Sequence, residues 1–286
     1  MRKSTLYLVA CMTATVLLNA CQPKQNLDLK NALTFFASFD NGFDADYALG
    51  DKNIYTATSR RALDSAMKGM HNADHKIVKD QGQYGDALRF GSRTDTVIFF
   101  RGKNNIVYDP QNWSGSISFW LSLDPATDLE PGYTDPIQIT DSRWNDAAIW
   151  VDFTRENPRD FRLGVIGDMT EWSKDTIDSP VEVVLEKRRV TVKNPPFAKT
   201  NWTHIAITYQ SLGGNQSMST LFINGEKIGT ISGVNDPFTW ELDNANIYLG
   251  LGFIGSMDEV AIFNRPLSDE EIISVYQLAD GIGSIL

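Results

Sequence analysis

From Leu33 onward the apolar residues of this chain recur mainly with period two, enriched in Ile, Val, Phe, Thr and Trp and broken by clusters of Gly, Asn, Asp and Pro. That rhythm predicts strands. In Gly115–Leu123 it places Ile117, Phe119, Leu121 and Leu123 on one face and Ser116, Ser118 and Ser122 on the other, with Trp120 as the exception. Similar strands are predicted at Leu33–Phe39, Ala87–Phe90, Thr96–Phe100, Ala147–Phe153, Phe161–Ile166, Trp202–Tyr209, Thr220–Ile223, Lys227–Ile231, Asn246–Leu249 and Met257–Phe263. Asn224-Gly225 between two of them suits a type I′ turn, which needs positive φ at both central residues. Two helices interrupt the pattern. Thr58 or Ser59 caps one carrying Leu63, Met67 and Met70, ending near Gly69. Ser268 with Glu271 forms a capping box opening a terminal helix through Ile272, Val275 and Leu278. Met169–Pro196, with weak periodicity, the run Glu186–Arg189 and the pair Pro195-Pro196, reads as an excursion outside the regular sheets. No internal repeat is visible.

The amino terminus has a different pattern. Arg2 and Lys3 precede an apolar run from Leu6 to Leu18, shorter than the ~20 residues a spanning helix needs, so it reads as a signal peptide. The run closes on Leu18-Asn19-Ala20-Cys21, which resembles the lipobox of bacterial lipoproteins. That resemblance implies cleavage before Cys21, a diacylglycerol thioether on its sulfur and an acyl chain on the new amino group, a combination that anchors stably where one chain does not. Gln22 rather than Asp after the cysteine implies, in a Gram-negative cell, the outer membrane. The expected location is the bacterial cell envelope. The expected organisation is a signal peptide over 1–20, a lipidated cysteine and polar tether over 21–32, and a single domain over 33–286.

Composition narrows the function. With 286 residues, 42% apolar and 22% charged, the chain can bury a sizeable core, and one all-β domain of this length is ordinary. Its 26 basic and 36 acidic residues give a net charge of −10 with no basic cluster, which argues against nucleic acid as partner. Its two cysteines are Cys11, in the discarded leader, and Cys21, so the mature chain has no pair for a disulfide.

Several blocks in order resemble the laminin-G-like, concanavalin A-like jelly roll of exported bacterial proteins. They are Ala37-Ser-Phe-Asp-Asn-Gly42, Tyr84-Gly-Asp-Ala-Leu-Arg-Phe90, Gly115-Ser-Ile-Ser-Phe-Trp120, Trp202-Thr-His-Ile-Ala-Ile-Thr-Tyr209, Leu221-Phe-Ile-Asn-Gly225 and the stretch Ile254–Ser268 containing Met257-Asp-Glu-Val260. The fold class this implies is an all-β sandwich of two curved antiparallel sheets, the last strand beside the first, with a helical insertion near residues 58–70 and a short C-terminal helix. The resemblance also implies a structural Ca²⁺ held by Asp40 and Asp258 with nearby backbone carbonyls. The other reading is that one Asp caps a turn and the other pairs with an Arg such as Arg265.

Catalytic material is scarce. The Glu-x-Asp-x-x-Glu strand of glycoside hydrolases with this fold is absent; Glu182-Val-Val-Leu-Glu186 lacks the middle Asp and reads as an exposed charge pair. His71-Asn-Ala-Asp-His75 reads as a solvated helix terminus, and His204 as a packing or hydrogen-bonding residue. No catalytic residue is assigned, and the balance leans away from an enzyme. For ligand binding, Trp144 and Trp172 lie near Arg143, Asn145 and Asp146, supplying an aromatic platform and polar partners for a sugar ring; packing is the alternative for each Trp. Trp150 lies beside the same loops, with Asp152, but alternates with Ile149 and Val151, so core packing is its alternative to binding. The function expected is a non-catalytic, lipid-anchored recognition module for a glycan or extracellular polymer, touching the membrane through its lipid and carrying calcium. The alternatives are a polysaccharide hydrolase or lyase with its site on the concave face, and an adhesion or assembly component with a protein partner.

Overall fold

The computed structural model describes residues 28–286. The leader, Cys11, the lipobox with Cys21 and the tether up to residue 27 lie outside the described residues.

The strands, in chain order, are β1 (Leu33–Ala37), β2 (Tyr47–Ala48), β3 (Ile54–Ala57), β4 (Met67–Lys68), β5 (His75–Val78), β6 (Ala87–Phe90), β7 (Val97–Arg101), β8 (Trp113–Ser122) and β9 (Thr134–Thr140). Then come β10 (Ala148–Phe153), β11 (Phe161–Ile166), β12 (Arg189–Val192), β13 (Thr203–Leu212), β14 (Met218–Ile223), β15 (Glu226–Ser232), β16 (Asn246–Leu251) and β17 (Gly255–Phe263). Three short α-helices join them: α1 (Met169–Trp172), α2 (Val181–Glu186) and α3 (Asp269–Tyr276). One sheet has the order β15-β14-β13-β8-β17-β1-β2, with β6 against β17 and β5 against β6; the other runs β12-β11-β10-β9-β16-β7-β3-β4. The pairings within both sheets are antiparallel, and the first strand lies beside the last, Phe36 opposite Ala261. The fold is the all-β, concanavalin A-like sandwich.

Period two explains the packing. Ile117, Phe119 and Leu121 of β8 meet Ile137, Ile139, Ile149, Val151, Leu163, Ile247 and Leu249 of the second sheet in one large core. The turn at Asn224-Gly225 has φ of 51° and 79°, as a type I′ turn requires. Trp120 breaks the alternation because the outer face of β8 is covered: its ring stacks on Tyr276 of α3 at 5.7 Å between centroids. The helix opens with the expected capping box, Glu271 N donating to Ser268 Oγ and Ser268 N to Glu271 Oε2. It shares a second apolar cluster with Phe36, Ile282 and Ile285.

The structure differs from the sequence reading in several places, among them the short strands β2, β3 and β5, which were not foreseen. Residues 58–70 form a 3-10 turn at Leu63–Ser65 followed by β4, in place of a regular helix. The three residues that suggested one apolar face go to different surroundings: Leu63 packs beside Phe99 and Tyr248, Met70 packs on the main core and Met67 is half exposed. The end of the tether is part of the fold, since residues 28–32 are helical and Leu29 and Ala32 are buried in the cluster around α3. Within the excursion, Arg189–Val192 is an edge strand of the second sheet. Finally β9 was unforeseen because Pro136 interrupts it, although Ile137 and Ile139 alternate with Gln138 and Thr140.

Candidate functional site

The outer face of the second sheet carries the largest groove, about 1070 Å³. Register builds its floor. One row of paired residues runs Gly164, Trp150, Gln138, Tyr248, Phe99, Tyr55 across β11, β10, β9, β16, β7 and β3. Two insertions cover the ends of that row. The turn after β3 lays Arg60 over the Tyr248 ring, 4.3 Å from its centroid, with Nη2 donating to Ser142 O at 2.8 Å and Nη1 to the Gln138 side chain. At the other end α1 and α2 close over Ala148, Trp150 and Ile166 through Trp172, Val184 and Leu185. That wall is tied down by Arg188, whose Nε donates to Asp236 Oδ2 at 2.6 Å and Nη1 to Val184 O at 2.9 Å. Between the covers the groove is open, lined by Trp144, Trp150, Tyr133, Asp135, Asp152 and Arg162, with Arg93 and Arg189 at its sides.

Charges in this groove are paired unevenly. Arg162 Nε donates to Asp152 Oδ1 at 2.8 Å and Nη2 to Oδ2, a buried two-pronged ion pair, and its guanidinium also sits 5.1 Å from the Tyr133 ring. Burial raises the Asp152 carboxyl even so, with Arg162 pulling the other way. Asp135, on the neighbouring strand, accepts no hydrogen bond from the described residues. Burial first and then the Asp152 charge push its carboxyl well above the usual carboxylate range, partly offset by Arg60, Arg162 and Arg93.

Of the residues grouped by sequence as ligand-binding, Trp144 is the one whose ring opens into the groove, 44% exposed. The others come together as the frame that holds it. Trp172 is buried, its Nε1 donating to Asn145 O at 2.9 Å, so its ring offers no open face and the packing alternative is the one realised. Asp146 Oδ1 accepts from Met169 N at 2.8 Å, and Arg143 pairs with Asp146 in an isolated bridge. Trp150, for which the sequence left both binding and core packing open, is buried yet lines the groove, because its neighbours on β10 face inward and it faces out. Asp135, Gln138, Tyr133, Arg60 and Arg93 were missed. The alternation of β9 held the signal for Gln138; nothing in sequence foretold the arginines.

Asp40 and Asp258 converge on one loop, residues 82–86, at the junction of β1, β17 and β6. Asp86 N donates to Asp40 Oδ1 at 2.7 Å and Tyr84 N to Asp258 Oδ2 at 3.0 Å. Asp258 is fully buried and its Oδ1 has no hydrogen-bond partner. Three oxygens, Asp86 O, Tyr84 O and Asp258 Oδ2, lie within 2.7 Å of where a side chain on Gly82 would begin, so only glycine fits. Burial, with Glu259 and Asp40 nearby, pushes the Asp258 carboxyl up to about 8. The donor set therefore fits a hard cation through two carboxylates and backbone carbonyls, although no three His, Cys, Asp or Glu side chains form a metal-binding group among the described residues. Pairing of Asp258 with Arg265 does not occur; Arg265 grips Glu271 with both Nη atoms, at 2.7 and 2.6 Å.

The histidines sit elsewhere. His71 Nε2 contacts Lys68 O at 2.9 Å beside β4, while His75 is buried in β5 with its ring 5.1 Å from that of Phe90, so the pair is not a helix terminus. His204 is buried between Trp120 and Tyr276, its Nε2 2.8 Å from Ser118 Oγ. Glu182, on α2 and exposed, pairs at 2.6 Å with Arg189, whose side chain is buried, so the pair is half-buried and helix-borne where the sequence reading expected an exposed edge or loop.

Residues 111–273 match the family model for the concanavalin A-like lectin/glucanases superfamily. No curated protein matches the chain. Among solved structures, domain 4 of AbnA, a GH43 extracellular arabinanase from Geobacillus stearothermophilus in complex with arabinotriose, is 17% identical with a TM-score of 0.52, covering 86% of this chain and 98% of that one. The botulinum neurotoxin serotype D ligand-binding domain in complex with N-acetylneuraminic acid is 13% identical with a TM-score of 0.52, covering 88% of this chain and 52% of that one. The binding domain of botulinum neurotoxin DC in complex with SialylT is 12% identical with a TM-score of 0.55, covering 89% and 51%. This chain spans about half the length of those toxin domains. With a family match over more than half of its length and both sheets in place, the chain belongs to the concanavalin A-like lectin/glucanases superfamily.

Proposed function

We propose that this protein is an exported, lipid-anchored recognition module that binds a glycan in the groove on the outer face of its second sheet. The observation that carries the reading is Trp144, an open indole ring beside fixed polar groups, the combination that seats a sugar ring. Carbohydrate complexes among the structural relatives support it. The anchor rests on the lipobox ending at Cys21. Calcium between Asp40 and Asp258 would supply the positive charge that the buried, unpartnered Asp258 Oδ1 lacks, and would clip β1 and β17 to the 82–86 loop in a domain whose described residues contain no cysteine. A glycan array run with and without calcium tests the reading: binding to a saccharide that Trp144→Ala removes supports it, and no binding to any saccharide refutes it. Cys21→Ser should release the protein from membranes.

A second reading, a polysaccharide hydrolase, is favoured by one observation. Asp135 is a carboxyl without a hydrogen-bond partner, raised toward the neutral form in a groove floored by a second carboxylate, which is the environment of a general acid. Release of reducing ends that Asp135→Asn abolishes would select it over pure recognition.

A further inference from the structure

We propose that the groove selects acidic polysaccharides, its unpaired arginines, led by Arg93, taking the carboxylate or sulfate of a sugar that stacks on Trp144. This rests on the glycan-binding reading above and adds the chemical class of the ligand.

The chain as a whole repels polyanions, with 36 acidic against 26 basic residues. Its groove departs from that balance. Five arginines line it: Arg60, Arg61, Arg93, Arg162 and Arg189. Arg162 and Arg189 are neutralised by Asp152 and Glu182. Arg60, Arg61 and Arg93 have no ion-pair partner among the described residues. Outside those two pairs the carboxyls lining the groove are Asp95 and Asp135, and burial raises the Asp135 carboxyl well above the usual carboxylate range.

Arg93 is the strongest of the three because it is held in place without being used up. Its Nη1 makes one hydrogen bond, to Tyr133 O at 3.3 Å. A side chain beginning on Gly132 would meet its guanidinium at 2.9 Å, and one on Gly252 would meet it at 3.0 Å, so the planar group is pressed against two glycine backbones. Both glycines have positive φ, 118° and 63°. The guanidinium presents a fork of five N–H donors at the groove with a single hydrogen bond of its own, the arrangement that suits an oxyanion. A neutral sugar would desolvate these cations with no charge in return. Outside the groove the negative field disfavours acidic polymers, which confines binding to this face.

The test uses the purified protein, polygalacturonate, the same polymer after its carboxyl groups are reduced to alcohols, dextran sulfate and plain dextran, with affinity read by calorimetry. At least one acidic polymer should bind, at least tenfold more tightly than its neutral counterpart, with affinity falling as NaCl rises. Binding to polygalacturonate alone identifies a carboxylate ligand, and binding to dextran sulfate alone a sulfate; either supports the proposal. Arg93→Gln, whose melting temperature should match the parent because the residue is exposed, should lose about tenfold in affinity for the acidic polymer, and Arg93→Lys should retain part of it. Equal binding of acidic and neutral polymers, both abolished by Trp144→Ala, would overturn acidic selection while leaving the glycan groove intact. Failure of every polymer to bind would overturn both.

Discussion

The indole Nε1 of Trp150 donates to the carbonyl of Trp144 at 2.8 Å, and the two rings meet edge to face, 6.4 Å apart at 69°. The buried tryptophan thus fixes the backbone beneath the exposed one. Trp150 in turn lies flat over Gly164, where an added side chain would approach its ring at 2.2 Å. The platform of the groove is layered: a glycine, a buried indole over it, and an open indole meeting that ring edge to face.

Trp150→Phe keeps one aromatic ring but removes the hydrogen bond and leaves a gap where the rest of the buried indole packed. It should cost about 1 kcal/mol in glycan affinity and lower the melting temperature, measured by calorimetry and thermal unfolding. Gly164→Ala drives a methyl into the Trp150 ring and should destabilise by about 1–3 kcal/mol in urea unfolding. A neutral result for both would mean that Trp144 is positioned independently of Trp150.

Asp152→Ala removes the partner of a buried guanidinium. Because Arg162 is then left charged and desolvated, the expected cost is about 3 kcal/mol in urea unfolding, while replacing both residues together by apolar ones of similar size should recover most of it. A loss below about 1 kcal/mol for the single variant would show that water reaches Arg162.

Burial holds the His204 imidazole down to about 3. Below about pH 6.5 the unfolded chain takes up a proton there that the folded chain refuses, so this group removes about 1.4 kcal/mol of stability per pH unit as pH falls from about 6.5 toward 3, and has no effect above that window. Denaturation curves of the parent and His204→Gln should diverge in slope across the window. NMR of the parent should find the ring neutral at pH 5; a protonated ring there would refute the prediction.

If calcium bridges Asp40 and Asp258, adding it at a hundred times its dissociation constant should stabilise the fold by about 2.7 kcal/mol, and EDTA should remove that gain. Asp258→Asn should lose the response to both. A melting temperature unchanged by EDTA and by Asp258→Ala alike would refute the calcium clip.

How much of this was legible in sequence differs from element to element. β6 and β11 have the predicted limits because each is a short apolar run bounded by turn residues. The cap at Ser268 was readable because it depends on residues three positions apart. The segment 58–70 was misread because apolar spacing says that a residue is buried without saying against what. Strand β9 escaped because Pro136 is normally a strand breaker, tolerated here inside a strand paired on both sides.

The sequence by itself determined the sandwich, through period two over hundreds of positions, the terminal helix through its cap, and a domain without a disulfide through its two N-terminal cysteines. Only the tertiary structure decided the groove. Asp135, Trp150 and Arg162 meet because strand register lines them up on one face, and the connections after β3 and β6 bring Arg60 and Arg93 to its side. Local patterning reports which way each side chain points from its own strand; which strands become neighbours is fixed by long-range pairing, and the chemistry of the site follows from that.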